Sequence, residues 1–315
     1  MEGARLLLAS ALVATPLAVS HPSAQQVPVF RAGVDLVTLG VTVTDRKGTL
    51  ATTLTADDFE IYEDGKKQAI RYFSAGDPVG PDRPGPEMHL GLLLDVSESM
   101  GDDLNFTKTA SIKFLNTLLD ATDVTMVDFD TEVRVARYGQ NEFARLIERI
   151  RQKKASGSTA LYDAVGVYLD GAGGQEGRKI MLLYTDGGDT RSSIRFNELL
   201  DLLKASDVTV YAIGELEHQS ASGRFAQRSI LQQIADATGG KAFFPLTVKD
   251  LDQMYEKVLA EIRAQYTVGY LSTNDKTDGA WRKVEIKVRR AGKKDDGDYR
   301  TRSRSGYFAP YKAPK

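Results

Sequence analysis

The spacing of apolar positions changes twice along the chain and divides it into three stretches. In the first, Val37, Leu39, Val41 and Val43 alternate with Thr38, Gly40, Thr42 and Thr44, the period of two that marks a half-buried strand. Apolar runs at 59–62 and 70–73 flank Glu63-Asp64-Gly65-Lys66, and Asp-Gly between such runs predicts a hairpin with a tight turn. Residues 28–75 therefore read as β structure, too small a set of strands to stand alone.

From His89 to about Gln265 the rhythm alternates between short apolar runs and helical spacing. Strands are expected at 91–95, 124–129, 179–185 and 208–213, and helices at 104–119, 141–151, 159–170, 195–205 and 227–237. A last helix places Leu251, Met254, Tyr255, Val258, Leu259 and Ile262 on one stripe, the spacing of a helix with one face on a core. Such alternation predicts a mostly parallel sheet covered on both faces.

Beyond it the period of two returns. Tyr266, Val268 and Tyr270 alternate with polar or glycine positions, Val284, Ile286 and Val288 alternate with Glu285, Lys287 and Arg289, and Gly306-Tyr307-Phe308 closes the pattern. These strands are expected to complete the β structure begun by residues 28–75, because the termini of an inserted domain commonly lie close together. The expected fold class is α/β: a doubly wound, Rossmann-like sheet over 88–265, inserted into a small β-sandwich built from 25–76 and 266–310. Residues 77–87 hold Pro78, Pro81, Pro84 and Pro86 and read as a stiff linker.

The first residues add a compartment. Arg5 precedes an apolar run over 6–19, and Ser20, Ser23 and Ala24 follow, the zones of a secretory signal peptide over 1–24. Export to the periplasm or the cell exterior is the expectation. Interrupted by Pro16, the run is too short to span a bilayer comfortably, and no later segment approaches that length, so no transmembrane segment is expected after signal removal.

Composition changes the picture mainly by exclusion. The 315 residues are 42% hydrophobic and 27% charged, an ordinary globular balance. Cysteine is absent, which removes disulfides, thiol catalysis and thiolate metal sites. His21, His89 and His218 stand in unrelated contexts and offer little for a zinc cluster or a histidine-based triad. The net charge of -2 argues against nucleic-acid binding. It conceals a basic end: residues 282–315 carry twelve Lys and Arg against four Asp and Glu. Arg300, Arg302 and Arg304 share one face of a strand, which reads either as a weak contact with anionic surfaces or as a solvated edge that discourages aggregation.

The chemistry concentrates where strands end. Gly91-Leu92-Leu93-Leu94-Asp95-Val96-Ser97-Glu98-Ser99 is an apolar run that delivers a carboxylate and two hydroxyls to one tip. Leu182-Leu183-Tyr184-Thr185-Asp186-Gly187 repeats the design, and Ala155-Ser156-Gly157-Ser158-Thr159 is a small-residue loop entering a helix. Oxygen-only donors at the carboxyl ends of parallel strands suit a hard divalent cation. Capping or turn formation is the plainer reading for each residue alone; five in this order are harder to explain that way. Asp163 and Asp189 lie nearby and read as solvated surface.

Asp95-x-Ser97-x-Ser99, Thr159 and Asp186-Gly187 together resemble the metal-ion-dependent adhesion site (MIDAS) of von Willebrand factor type A (VWA) domains, and the flanking β segments are similar to an exported, VWA-related acidobacterial family. The resemblance implies direct metal coordination by Ser97, Ser99 and Thr159, with Asp95 and Asp186 acting largely through water. It departs at Ser158, where glycine is frequent, and at Gly187-Gly188-Asp189-Thr190, a longer acidic loop. It implies a non-enzymatic adhesion module in which Mg²⁺, Mn²⁺ or Ca²⁺ holds an acidic residue of a protein partner. A metal-dependent phosphohydrolase with Asp95 as nucleophile is the competing reading, although Ser97 cannot act as its general acid. A structural domain with a vestigial site is the third.

Overall fold

The computed structural model describes residues 36–76, 87–117, 121–289 and 299–312. The signal-peptide reading, and nearly all of the proline-rich linker, lie outside the described residues. Strands β1 (Leu36–Asp45), β2 (Phe59–Glu63), β3 (Lys66–Gln68) and β4 (Ile70–Ser74) come first. The alternation of β1 buries Val37, Leu39, Val41 and Val43. The Asp-Gly turn is present, with Asp64 at φ 47° and Gly65 at φ 80°, the left-handed pair that a two-residue hairpin requires. Its second arm is not the expected one. β2 pairs with the short β3, while β4 crosses to the other sheet and pairs with a strand from the far end of the chain.

The central region runs β5 (Met88–Asp95), α1 (Leu104–Thr117), β6 (Asp123–Phe129), β7 (Val133–Gly139), α2 (Phe143–Arg151), α3 (Leu161–Ala172), β8 (Arg178–Thr185), α4 (Phe196–Ala205), β9 (Val208–Gly214), α5 (Ala221–Ala237), β10 (Lys241–Phe243) and α6 (Val248–Ala264). Its six strands lie in the order β10-β9-β8-β5-β6-β7, parallel except for β7, which runs antiparallel at one edge. β5 is buried throughout, so its side chains feed both layers. Leu92 and Leu94 join Phe114, Leu146, Tyr255 and Val258 on the face covered by α1, α2 and α6. Leu93 joins Leu161, Leu199 and Leu231 on the face covered by α3, α4 and α5.

The chain ends with β11 (Tyr266–Leu271), β12 (Trp281–Val288), β13 (Tyr299–Arg302) and β14 (Gly306–Phe308). They interleave with the first strands as two antiparallel sheets, β13-β1-β11-β4 and β14-β12-β2-β3. Leu39, Val41, Phe59, Ile61, Tyr266, Val268, Val284 and Ile286 share the core between them. This is the expected sandwich of N- and C-terminal strands. Trp281 packs edge-on against Phe308. Among the described residues no helix is long and apolar enough to cross a membrane.

The basic strand β13 lies at a sheet edge with Arg300 exposed, as one reading expected, but the other two arginines of the pattern are engaged within the protein. Arg302 donates from Nε to the Gly239 carbonyl at 2.8 Å and pairs with Glu261. Arg304 donates to the carbonyls of Ser206 at 2.9 Å and Thr38 at 2.8 Å. Two of the three guanidiniums thus tie the sandwich to the parallel-sheet region, and only Arg300 is exposed. A surface pattern could not reveal this, because the carbonyls they bond belong to segments distant in sequence.

Candidate metal centre

The carboxyl ends of β5 and β8 are neighbours because these strands pair in register, Leu94 against Tyr184. Asp95 ends one and Thr185 ends the other, and Thr185 Oγ1 donates to Asp95 Oδ2 at 2.6 Å. On the second oxygen, Oδ1, Asp95 accepts from Ser97 Oγ at 2.5 Å and Ser97 N at 3.0 Å. Ser97 Oγ in turn lies 3.1 Å from Ser99 Oγ. Asp95 and Ser97 are fully buried while Ser99 is exposed, so the set runs from a buried floor to the surface.

The loop bearing Thr159 is tied to this tip. Ser156 N donates to the Val96 carbonyl at 2.9 Å and Glu98 N to the Gly157 carbonyl at 3.0 Å. From the other side, Ala160 N bonds the Asp130 carbonyl and Ser158 N bonds Thr131 Oγ1. The N-cap of α3 is Ala160, so helix capping does not claim the Thr159 hydroxyl. Thr190 N and Arg191 N both donate to the Thr159 carbonyl at 2.9 Å, which fastens the same loop to the segment after Asp186. The structure therefore brings the five sequence-predicted positions onto one cross-braced rim.

Asp163 and Asp189 are not mere solvated surface. Asp163 accepts from Ser193 N and Ile194 N, and Asp189 accepts from Ser192 Oγ and Tyr162 N. They hold the lengthened acidic loop against the start of α3. Beneath the rim, buried Asp128 accepts from Arg134, Arg149 and Lys153 at 2.6–2.7 Å. Burial pushes its carboxyl up, but those bonds outweigh it and hold Asp128 below the usual carboxylate range.

Electrostatics sets this rim apart. Burial pushes the Asp95 carboxyl up to about 7; bonds from Ser97 and Thr185 pull it back, and the charge of Asp186 adds to the rise. A third carboxyl escaped the sequence reading. Glu215 follows β9, is 3% exposed and accepts from Thr107 Oγ1 at 2.7 Å, while its Oε2 is buried with no hydrogen-bond partner. Burial pushes it up to about 8, with further rises from Asp103, Asp95 and Asp186. Gln219 Nε2 donates to Asp186 Oδ2 at 2.8 Å, and Gly188 N to Asp186 Oδ1 at 2.7 Å. No motif spacing flags Glu215 or Gln219; register and a loop crossing bring them in.

The donor set fits a hard divalent cation. Among the described residues no group of three or more His, Cys, Asp or Glu side chains is poised to hold a metal; the candidate donors are two carboxylates and three hydroxyls. These form a mostly neutral set, and the cost that Asp186 adds to ionising buried Asp95 is what a cation relieves. His218 pairs with Asp103 at 2.9 Å, and His89 is bonded to Asp123 and the Glu176 carbonyl at the opposite end of β5. Both Asp95 oxygens are engaged and the side chain is fully buried, which disfavours it as a nucleophile.

A profile of the von Willebrand factor type A domain matches residues 89–261. No curated protein matches the chain. Among solved structures, the chain is similar to an aerotolerance-related membrane protein from Bacteroides fragilis at 16% identity, covering 56% of this chain and 98% of that one with a TM-score of 0.45. It is similar to the vWF domain of the type V pili tip protein Mfa5 from Porphyromonas gingivalis at 11% identity, with coverages of 56% and 97% and a TM-score of 0.47. A von Willebrand factor type A protein from Catenulispora acidiphila matches at 13% identity, with coverages of 90% and 76% and a TM-score of 0.45.

Proposed function

Because the chain belongs to the von Willebrand factor type A domain family, we propose that it is an exported, non-enzymatic binding module that holds a protein partner through a divalent cation. Asp95, Ser97, Ser99, Thr159 and Asp186 are the residues that would hold the ion, Mg²⁺ in the first instance, with Mn²⁺ or Ca²⁺ as substitutes. A bound cation would supply an electrophilic position, since Mg²⁺ retains open or water-filled sites when protein donors are few. An acidic side chain of the partner is the complementary ligand.

One observation carries this reading: two strand-end carboxylates, Asp95 and Asp186, are held by Thr185, Ser97, Gln219 and Gly188 N on a rim otherwise dressed with hydroxyls, where Asp186 adds to the cost of ionising buried Asp95 and both add to that of Glu215. The chain's own groups do the preparation. Thr185 and Ser97 orient Asp95, Gln219 and Gly188 N orient Asp186, and the cross-braces at Val96, Gly157 and Thr159 hold the three loops in one arrangement. Export is supported by Arg5 and the apolar run at 6–19.

Calorimetric titration of the full chain with Mg²⁺ and Mn²⁺ tests the metal centre. Saturable binding, abolished in Thr159→Ala and Asp186→Ala, is expected. Absence of binding in the wild type, or undiminished binding in both variants, overturns it. Phosphatase turnover lost in Asp95→Asn would instead favour the enzymatic reading.

A further inference from the structure

A small apolar groove adjoins the candidate metal centre through one short segment. Gly214, Leu216 and Glu217 line the groove, and two residues on, Gln219 donates to Asp186. The opposite wall is α5, contributing Arg224, Phe225 and Arg228, and the floor is Phe244 with Pro245 and Leu246. Gly214 makes the floor possible: a Cβ there would lie 2.6 Å from the Phe244 ring.

Two side chains of this groove face water at a hydrophobic cost. Phe225 is 80% exposed and Leu246 68% exposed. Isolated exposed apolar residues are ordinary, but a pair lining one concavity marks an interaction surface. The volume is about 230 Å³, below the roughly 300–1,000 Å³ of sites for drug-sized molecules, so it suits one bulky side chain of a larger partner.

Charge selects the kind of partner. Arg228 stacks over the Phe244 ring, 4.1 Å from its centroid, and neither Arg224 nor Arg228 has an ion-pair partner among the described residues. Stacking leaves the edge of a guanidinium free to bond a carboxylate. The groove therefore offers an apolar seat lined by two cations and one carboxylate, Glu217, a net positive rim, beside a site that would itself take a carboxylate.

We propose that this groove binds a bulky apolar side chain, aromatic or branched aliphatic, from the same acidic protein segment whose carboxylate reaches the metal centre. The inference rests on the cation-mediated reading above and adds the specificity determinant, with Phe225 and Leu246 as the apolar contacts and Arg224 and Arg228 as the electrostatic ones.

A phage-displayed random peptide library, selected on the full chain in Mg²⁺, tests both halves separately. Enriched peptides are expected to pair Asp or Glu with a bulky apolar residue. A synthetic copy of the leading peptide should bind about tenfold or more weakly to Phe225→Ser and to Leu246→Ser, and should be released by chelator. Both residues are exposed, so these variants should keep the wild-type melting temperature. Acid-only peptides, bound equally by wild type and Phe225→Ser, overturn the groove inference and leave the metal reading standing. Apolar peptides insensitive to chelator and to Thr159→Ala overturn the shared-segment inference at its metal end, and the functional reading with it. A selection that enriches nothing in Mg²⁺ overturns the inference.

Discussion

Replacing Asp95 by Asn separates two demands on one carboxyl. In the metal-free protein burial lifts it from 3.8 to about 7. At about 1.36 kcal/mol per pH unit, this interval corresponds to on the order of 4 kcal/mol held against folding once the group is ionised. The unfolded carboxyl loses its proton near 3.8 and the folded one near 7, so between these values the folded state binds more protons. This contribution to stability is therefore greatest at acid pH and declines as pH rises through the window. Asn keeps the shape without the charge. In chelator at pH ~8 the variant should be more stable by roughly 2–4 kcal/mol, the lower figure allowing for the Ser97 and Thr185 donors that lose a charged acceptor. Near pH ~4 that gain should vanish. Saturating Mg²⁺ should reverse the order, since a ligand stabilises only the state that binds it. Urea unfolding followed by Trp281 fluorescence, with and without Mg²⁺, reads all of these terms. A variant less stable than wild type in chelator at the higher pH, or one that responds equally to Mg²⁺, refutes the reasoning.

Three other perturbations probe the scaffold. Asp128→Asn leaves Arg149 and Lys153 around a neutral group, while Arg134 keeps its pairing with Asp130, and should cost about 3 kcal/mol in urea unfolding, the lower end for loss of one member of a buried ion pair. Because Asp128 sits below the usual carboxylate range, its stabilising contribution should persist above that range and fade as pH drops through its lowered value. Gly91→Ala would place a Cβ 2.3 Å from the Tyr168 ring, and overpacking should cost about 1–3 kcal/mol by thermal unfolding. Arg304→Met leaves the Ser206 and Thr38 carbonyls without their guanidinium donor. It should lower stability by about 1–3 kcal/mol and open the amides of β1 to hydrogen exchange; unchanged exchange would show that the clamp is dispensable.

Much was legible in the sequence because it is local. Period-two alternation in β1, β11 and β12 and the apolar stripe of α6 follow from side-chain geometry within one element. So does the motif at the tip of β5, where a strand end, not a tertiary contact, sets three oxygens close together. Elements without a strong period were missed. β7 carries Arg134 and Arg137 three residues apart, out of step with a period of two, at a sheet edge, β10 has three residues, and the exposed first turns of α5 begin at the Ser220 cap, well before the apolar spacing does.

What only tertiary structure decided is everything that depends on which distant segments meet. The Asp64-Gly65 turn was readable, but whether its second arm is β3 or β4 depended on β11 offering β4 an edge. The arginines of the basic strand looked solvated until the Gly239, Ser206 and Thr38 carbonyls were placed beneath them. At the candidate centre the sequence by itself determined the donor types, and folding determined their company: Thr185 on Asp95, Gln219 on Asp186 and a third buried acid in Glu215. Hydrophobic periodicity is written into neighbouring residues, whereas hydrogen bonds and pKa shifts are properties of atoms that become neighbours only when the parallel strands align.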